Sequence, residues 1–135
     1  MSTAQTKIEE LCRSYLACME HGDLDALLAN FMDDATATSP ISGKQPAREF
    51  YSYVMRVTSG RSMSLRTIFI GTAERPRAAI HVAYTRIVGS GEPATIEAVD
   101  VFDLTEDCSK FSAVTIIYDT APVRSDFDRP EARRS

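Results

Sequence analysis

The hydrophobic pattern changes period partway along the chain, and that change limits the folds open to it. Before Gly60 apolar residues recur at helical spacing; after it they alternate. Residues 4–20 place Ile8, Leu11, Cys12, Tyr15, Leu16 and Met19 on one stripe, with Thr3 and the box "TKIE" (Thr6 to Glu9) as equally good starts and Gly22 as the stop. Asp23 caps a short second helix through Leu24, Leu27, Leu28 and Phe31. "ATATS" (35–39) is β-prone and ends at Pro40. "SGKQP" opens a third helix, with Ser42 as its cap and Phe50, Tyr51, Val54 and Met55 on its apolar side. Strands are then expected at 63–71, 77–88, 94–104 and 111–119, joined in part by the turns "GSGEP" (89–93) and "TEDCSK" (105–110). Helices followed by an antiparallel meander predict an α+β fold: three N-terminal helices packed on one face of a curved sheet, enclosing a pocket.

Residues 1–121 are expected to form a single domain, and the polar residues 122–135 a flexible tail. With 44% apolar and 25% charged residues the composition is that of an ordinary globule. A net charge of −4 weighs against nucleic acid as a partner, and no apolar run approaches membrane-spanning length. The N-terminus lacks the charged-then-apolar order of a signal peptide, and Cys12, Cys18 and Cys108 have no metal-ligand spacing. These features fit a cytoplasmic protein with reduced thiols. No phosphate loop, dinucleotide fingerprint or metal motif is present, so no cofactor is implied.

One strand raises a chemical question. In "EAVDVFDL" (97–104) one face reads Ile96, Ala98, Asp100, Phe102 and Leu104. A carboxylate in the middle of an apolar row costs several kcal/mol unless it is paired, hydrogen-bonded or neutralised. Asp100 therefore faces a pocket, or is a partly exposed strand residue, or is held in an ion pair with Arg66 or Arg86. Tyr15 is a core tyrosine or a catalytic one, and spacing alone does not separate the two.

The stretches "YLACMEHGDLDALLANFMDDATATSP…GKQPAREFY", "EAVDVFDL" and "TIIYDT" resemble the NTF2-like superfamily, most nearly its ketosteroid isomerase and SnoaL-like branch, over roughly residues 5–120. The resemblance implies an NTF2-like cone. It also implies that Tyr15 donates to a substrate oxyanion, that Asp100 is a second donor kept protonated by an apolar site, and that Tyr51 (or its neighbour Tyr53) supports Tyr15. Phe31 stands where some isomerases carry a further tyrosine. Ketosteroid isomerase is itself the established example of a carboxylic acid held neutral at pH 7 by its surroundings. This sequence departs from the isomerases at Ser39, which stands where their aspartate base precedes a proline. A serine without a base partner abstracts protons poorly.

His81 is a further candidate. A two-residue turn at Ser90–Gly91 sets His81 opposite Asp100, on a face with Ala79, Ala83, Thr85 and Ile87. That register puts Arg86 in the other phase and ranks an arginine-assisted, epoxide-hydrolase-like site last. Tyr15, Asp100 and His81 are thus the expected catalytic residues. Ser39, Tyr51, Val54, Phe102, Val114 and Tyr118 are expected to bind substrate. The reading is an acid–base enzyme of isomerase, dehydratase or cyclase type acting on a hydrophobic carbonyl- or hydroxyl-bearing molecule. In one version Tyr15 and neutral Asp100 bind an enolate oxygen, with His81 or a water near Ser39 as base. In the other, ionised Asp100 orients His81. The alternative is a ligand-binding or dimeric interaction module. A homodimer through the sheet is expected from Val99 and Val101 on its open face.

Overall fold

A computed structural model describes residues 3–121. The polar tail expected from Pro122 onward lies outside the described residues. The elements run α1 (Ala4–His21), α2 (Leu24–Leu28), β1 (Phe31–Ser39), β2 (Gly43–Pro46), α3 (Ala47–Val57), β3 (Thr58–Ile70), β4 (Arg77–Val88), β5 (Ala94–Leu104) and β6 (Phe111–Ile117). The six strands form one curved, unclosed sheet in the order β2-β1-β6-β5-β4-β3. The β1–β6 pair is parallel and the other pairs are antiparallel. The helices cover the inner face, as the NTF2-like cone requires.

Local chemistry sets several boundaries. Thr3 starts α1, its hydroxyl accepting from the Thr6 N–H at 3.0 Å. Gly22 ends α1 in the left-handed region at φ 71°, where a side chain would be strained. The Asp23 carboxylate caps α2 through the Ala26 N–H.

The structure departs from expectation at several boundaries, and β3 starts at Thr58, ahead of the expected residue 63. Phe31 does not extend the second helix. It opens β1, opposite Phe111, and its ring packs against that of Phe111 at 5.2 Å between centroids. Burial of two aromatics across a parallel pair outweighs another helical residue. Likewise Ser42 does not cap α3. Residues 43–46 pair with β1 as a short edge strand, and α3 starts only after Pro46.

The narrow end of the cone is filled by aromatics. Phe102 and Phe111 stack at 4.0 Å and 16°, and Tyr15 meets Phe102 edge-on at 5.0 Å. Phe102 and Phe111 are fully buried. Fully burying side chains of this size contributes about 1.5–3 kcal/mol each. This block anchors α1 to β5 and β6 and so fixes the height of Tyr15 above the sheet.

Candidate active site

Above the aromatic block the cone opens into a cavity of about 730 Å³ between α1, α3 and the inner face of the sheet. That volume lies in the range of small-molecule sites. Met19, Val54, Val82, Ile96, Ala98 and Ile116 give it apolar walls. At its floor three polar side chains converge from three elements: Tyr15 from α1, Tyr51 from α3 and Asp100 from β5. The two tyrosine hydroxyls are 2.9 Å apart, and the Tyr15 hydroxyl donates to Asp100 Oδ2 at 3.3 Å.

Asp100 is only 3% exposed, and no described residue forms an ion pair with it. Burial pushes its carboxyl up to about 7, and the Tyr15 hydrogen bond offsets only part of that. Burial, reinforced by the charge of Asp100, also holds the Tyr15 and Tyr51 hydroxyls well above their ordinary value. Both phenols therefore remain neutral donors throughout the physiological range. The floor is a cluster of O–H groups in a low-dielectric pocket, with one member able to exchange a proton near neutrality.

The structure places the remaining candidates differently from one another. Ser39 lines the cavity and is 7% exposed; its hydroxyl lies 2.7 Å from that of Ser42 and accepts from the Ser42 N–H at 3.3 Å. Tyr51 is the inward member of the Tyr51/Tyr53 pair, while Tyr53 sits under Arg56 at 5.3 Å. Val54 and Tyr118 also line the cavity. Phe102 and Val114 do not line it; they belong to the core below, where the taper of the cone closes the space.

His81 is the main correction. The β4–β5 register pairs Ile80 with Asp100 and His81 with Val99. His81 therefore lies on the outer face, its Nε2 3.1 Å from Glu97 Oε1, and Arg66 Nε donates to the same oxygen at 2.7 Å. The turn sits one residue earlier than expected: the Gly91 N–H bonds to the Val88 carbonyl, and Gly89 adopts φ 55°. A one-residue slip turns over every side chain of a strand.

The same slip brings Tyr84 and Arg86, which the expected register turns away from Asp100, onto the inner face. Both line the cavity with Asp100, and Arg86 is 3% exposed. The sequence signal for them is the apolar company they keep: Ala78, Ile80, Val82 and Val88 are all buried. Among the described residues no group of three or more His, Cys, Asp or Glu is arranged to hold a metal, and no helix is long and apolar enough to cross a membrane.

Residues 12–111 match the family described as SnoaL-like domain. No curated protein matches the sequence. Among solved structures the chain is similar to PrhC from Penicillium brasilianum, at 16% identity over 97% of this chain and 95% of that one, with a TM-score of 0.81. It is also similar to the BvnE pinacolase from Penicillium brevicompactum, at 14% identity over 96% and 98%, with a TM-score of 0.78. A third similar structure is SalBIII, an epoxide hydrolase/cyclase-like enzyme in pyran ring formation in the polyether salinomycin. There the identity is 20% over 85% and 92%, with a TM-score of 0.73. At these identities the likeness fixes the fold and leaves the chemistry to the site.

Proposed function

The chain belongs to the SnoaL-like family of the NTF2-like fold, and from that premise we propose that it is an acid–base enzyme working on an oxygen of a hydrophobic small molecule. The observation that carries this reading is the buried pair at the cavity floor, Tyr15 Oη 3.3 Å from Asp100 Oδ2, with no cation paired to the acid among the described residues. A carbonyl or hydroxyl oxygen entering the floor replaces the long Tyr15–Asp100 bond. Tyr15 then donates to it while its own oxygen accepts from Tyr51. Neutral Asp100 supplies the second donor.

Donors fixed in place before reaction stabilise charge developing on that oxygen, typically by a few kcal/mol each. An acid near 7 can also transfer its proton at physiological pH. The version in which ionised Asp100 orients His81 does not hold, because the two side chains lie on opposite sheet faces. The surviving version suits reactions led by an acid at oxygen, whether isomerisation, dehydration or ring formation. The activities named for BvnE and SalBIII are compatible with that class.

Ser39 favours a second reading. The position where an isomerase would carry its base holds a hydroxyl already engaged with Ser42, so a ligand-binding module fits the same pocket. The two readings separate on hydrogen exchange of β-tetralone in deuterated water, followed by NMR. The enzyme reading expects exchange well above the buffer rate, reduced about 10²-fold or more by Tyr15→Phe or Asp100→Asn. Exchange at the buffer rate, or variants as fast as the wild type, would reject it in favour of binding alone. We also propose a homodimer through the outer sheet face, which leaves Phe69 and Ile117 51% and 53% exposed beside Val99 and Val101.

A further inference from the structure

The floor holds one ligand oxygen. A second polar group lines the same cavity from β1, and the chemistry at Tyr15 and Asp100 does not use it. Ser39 follows Ala35 and Ala37 on the buried face of β1 and is 7% exposed. A hydroxyl ending an apolar row raises the same question as Asp100.

The register sets its distance from the floor. Thr38 is level with Thr115 across the parallel β1–β6 pair, and Asp100 is level with Ile116 across β5–β6. The next residue along β1, Ser39, therefore comes level with Ile116, and so with Asp100 two strands away. Ile116 lines the cavity between them. Two strand spacings come to about 9.5 Å. A hydrogen bond of about 2.8 Å at each end leaves about 4 Å between two ligand oxygens that bridge the residues. Oxygens in a 1,3 relation on a carbon skeleton span such a gap.

The hydrogen-bond count leaves Ser39 room for a ligand. A serine hydroxyl has one proton and two acceptor sites. Ser39 Oγ accepts from the Ser42 N–H at 3.3 Å, and one of the two serine hydroxyls donates to the other across 2.7 Å. Gln45 Nε2 donates to Ser42 Oγ at 3.1 Å, and Ser42 and Gln45 also line the cavity. When Ser42 is the donor, the Ser39 proton has no acceptor among the described residues. When Ser39 is the donor, its oxygen keeps an acceptor site open, and the Ser42 proton is the spare one. In either state the pair has one unused proton, and reversing the bond between the serines changes what Ser39 offers.

We propose that Ser39, backed by Ser42, binds a second, uncharged oxygen of the ligand, so that the substrate is an apolar compound with two oxygens in a 1,3 relation, such as a β-hydroxy ketone or a β-diketone. The inference rests on the floor reading above for the first oxygen. Ser39 donates to a carbonyl in one state of the pair and accepts from a hydroxyl in the other, so both members of that class are served without a charge. The position that lacks a base thus acts in recognition.

The test uses three neutral phenols titrated calorimetrically into the full chain at about pH 6, where Asp100 keeps its proton. Phenylresorcinol carries both hydroxyls meta to each other on one ring. Meta-hydroxybiphenyl lacks the second hydroxyl, and a dihydroxybiphenyl isomer carries it on the far ring. An extra hydroxyl that finds no partner weakens binding, whereas one that is met strengthens it. The wild type is expected to prefer phenylresorcinol to both other probes by about fivefold or more. Ser39→Ala should abolish that preference, and Ser39→Thr, which keeps a hydroxyl, should retain most of it. Asp100→Asn should weaken all three probes alike and preserve their ratios. Alanine already occupies the two preceding positions of this buried row, so Ser39→Ala should keep the unliganded unfolding temperature close to that of the wild type.

Equal affinity for phenylresorcinol and either control, binding of none of the three, or a preference that survives Ser39→Ala would overturn the proposal. If Asp100→Asn leaves every affinity untouched while Ser39→Ala abolishes the preference, Ser39 still binds the second oxygen and the floor reading fails.

Discussion

Replacing Asp100 by asparagine should alter the pH dependence of stability in a way that identifies the charge on this residue. In the folded protein burial holds the carboxyl at about 7, against an ordinary 3.8. The folded chain therefore retains this proton at pH values where the unfolded chain has released it. The stability contributed by the neutral form is complete below about pH 4 and is lost as pH rises towards 7, levelling off above that. At about 1.4 kcal/mol per pH unit the whole change comes to about 4 kcal/mol. Solvent screening removes little of it, since the side chain is 3% exposed.

Asparagine keeps the shape and has no proton to lose. The difference between variant and wild-type stability should thus be flat below about pH 4, climb in favour of the variant between about 4 and 7, and flatten again above that. Other titrating groups are common to both proteins and cancel. Urea unfolding at a series of pH values from about 4 to 9 measures the curve. A difference that is flat throughout would refute a raised carboxyl. One that falls with pH would mean that Asp100 is stabilised as an anion, and the two-donor floor would go with it.

Four further outcomes are expected. Tyr51→Phe removes the 2.9 Å bond to Tyr15 and should cost about 1–2 kcal/mol in urea unfolding, together with weaker binding of phenolic ligands. Ser39→Asp places a carboxylate beside the Ser42 N–H, and should raise the conversion of a Δ5-3-ketosteroid at least about tenfold above a slow wild type, read as enone absorbance. His81→Ala acts on an exposed cluster with Glu97 and Arg66, so stability should change by less than about 1 kcal/mol and exchange of β-tetralone should not change. Phe111→Ala opens a void beneath Tyr15 and Phe102 and should cost about 3–5 kcal/mol in the same unfolding assay.

Much of the fold is legible because two periods dominate the sequence. The stripe from Ile8 to Met19 could only be a helix, and all of it except Leu11 is buried. The face Ile96, Ala98, Asp100, Phe102 and Leu104 is buried throughout, as its alternation requires. Elements held by partners rather than by pattern are not legible. "GKQP" has no alternation, and it is a strand only because β1 offers it an edge. Phe31 continues a helical spacing, and its place in β1 depends on Phe111, 80 residues away in the sequence.

The site is legible in a lopsided way for a related reason. Asp100 announces itself within one strand, since its apolar neighbours at two-residue spacing are enough to turn it inward. Tyr15 and Tyr51 lie on helical stripes whose burial is likewise local. His81 against Tyr84 and Arg86 is a choice between two faces of β4, and both faces are mostly apolar. Only the turn decides it. Bonding of the Gly91 N–H to the Val88 carbonyl starts the pairing one residue earlier than a turn at Ser90–Gly91 would. The sum of paired residue numbers becomes 180 instead of 181, as in Ile80 with Asp100. That single step exchanges a histidine for a tyrosine and an arginine on the pocket wall. The histidine expected as a base goes to the outer face, and Asp100 keeps the company of Tyr15 and Tyr51.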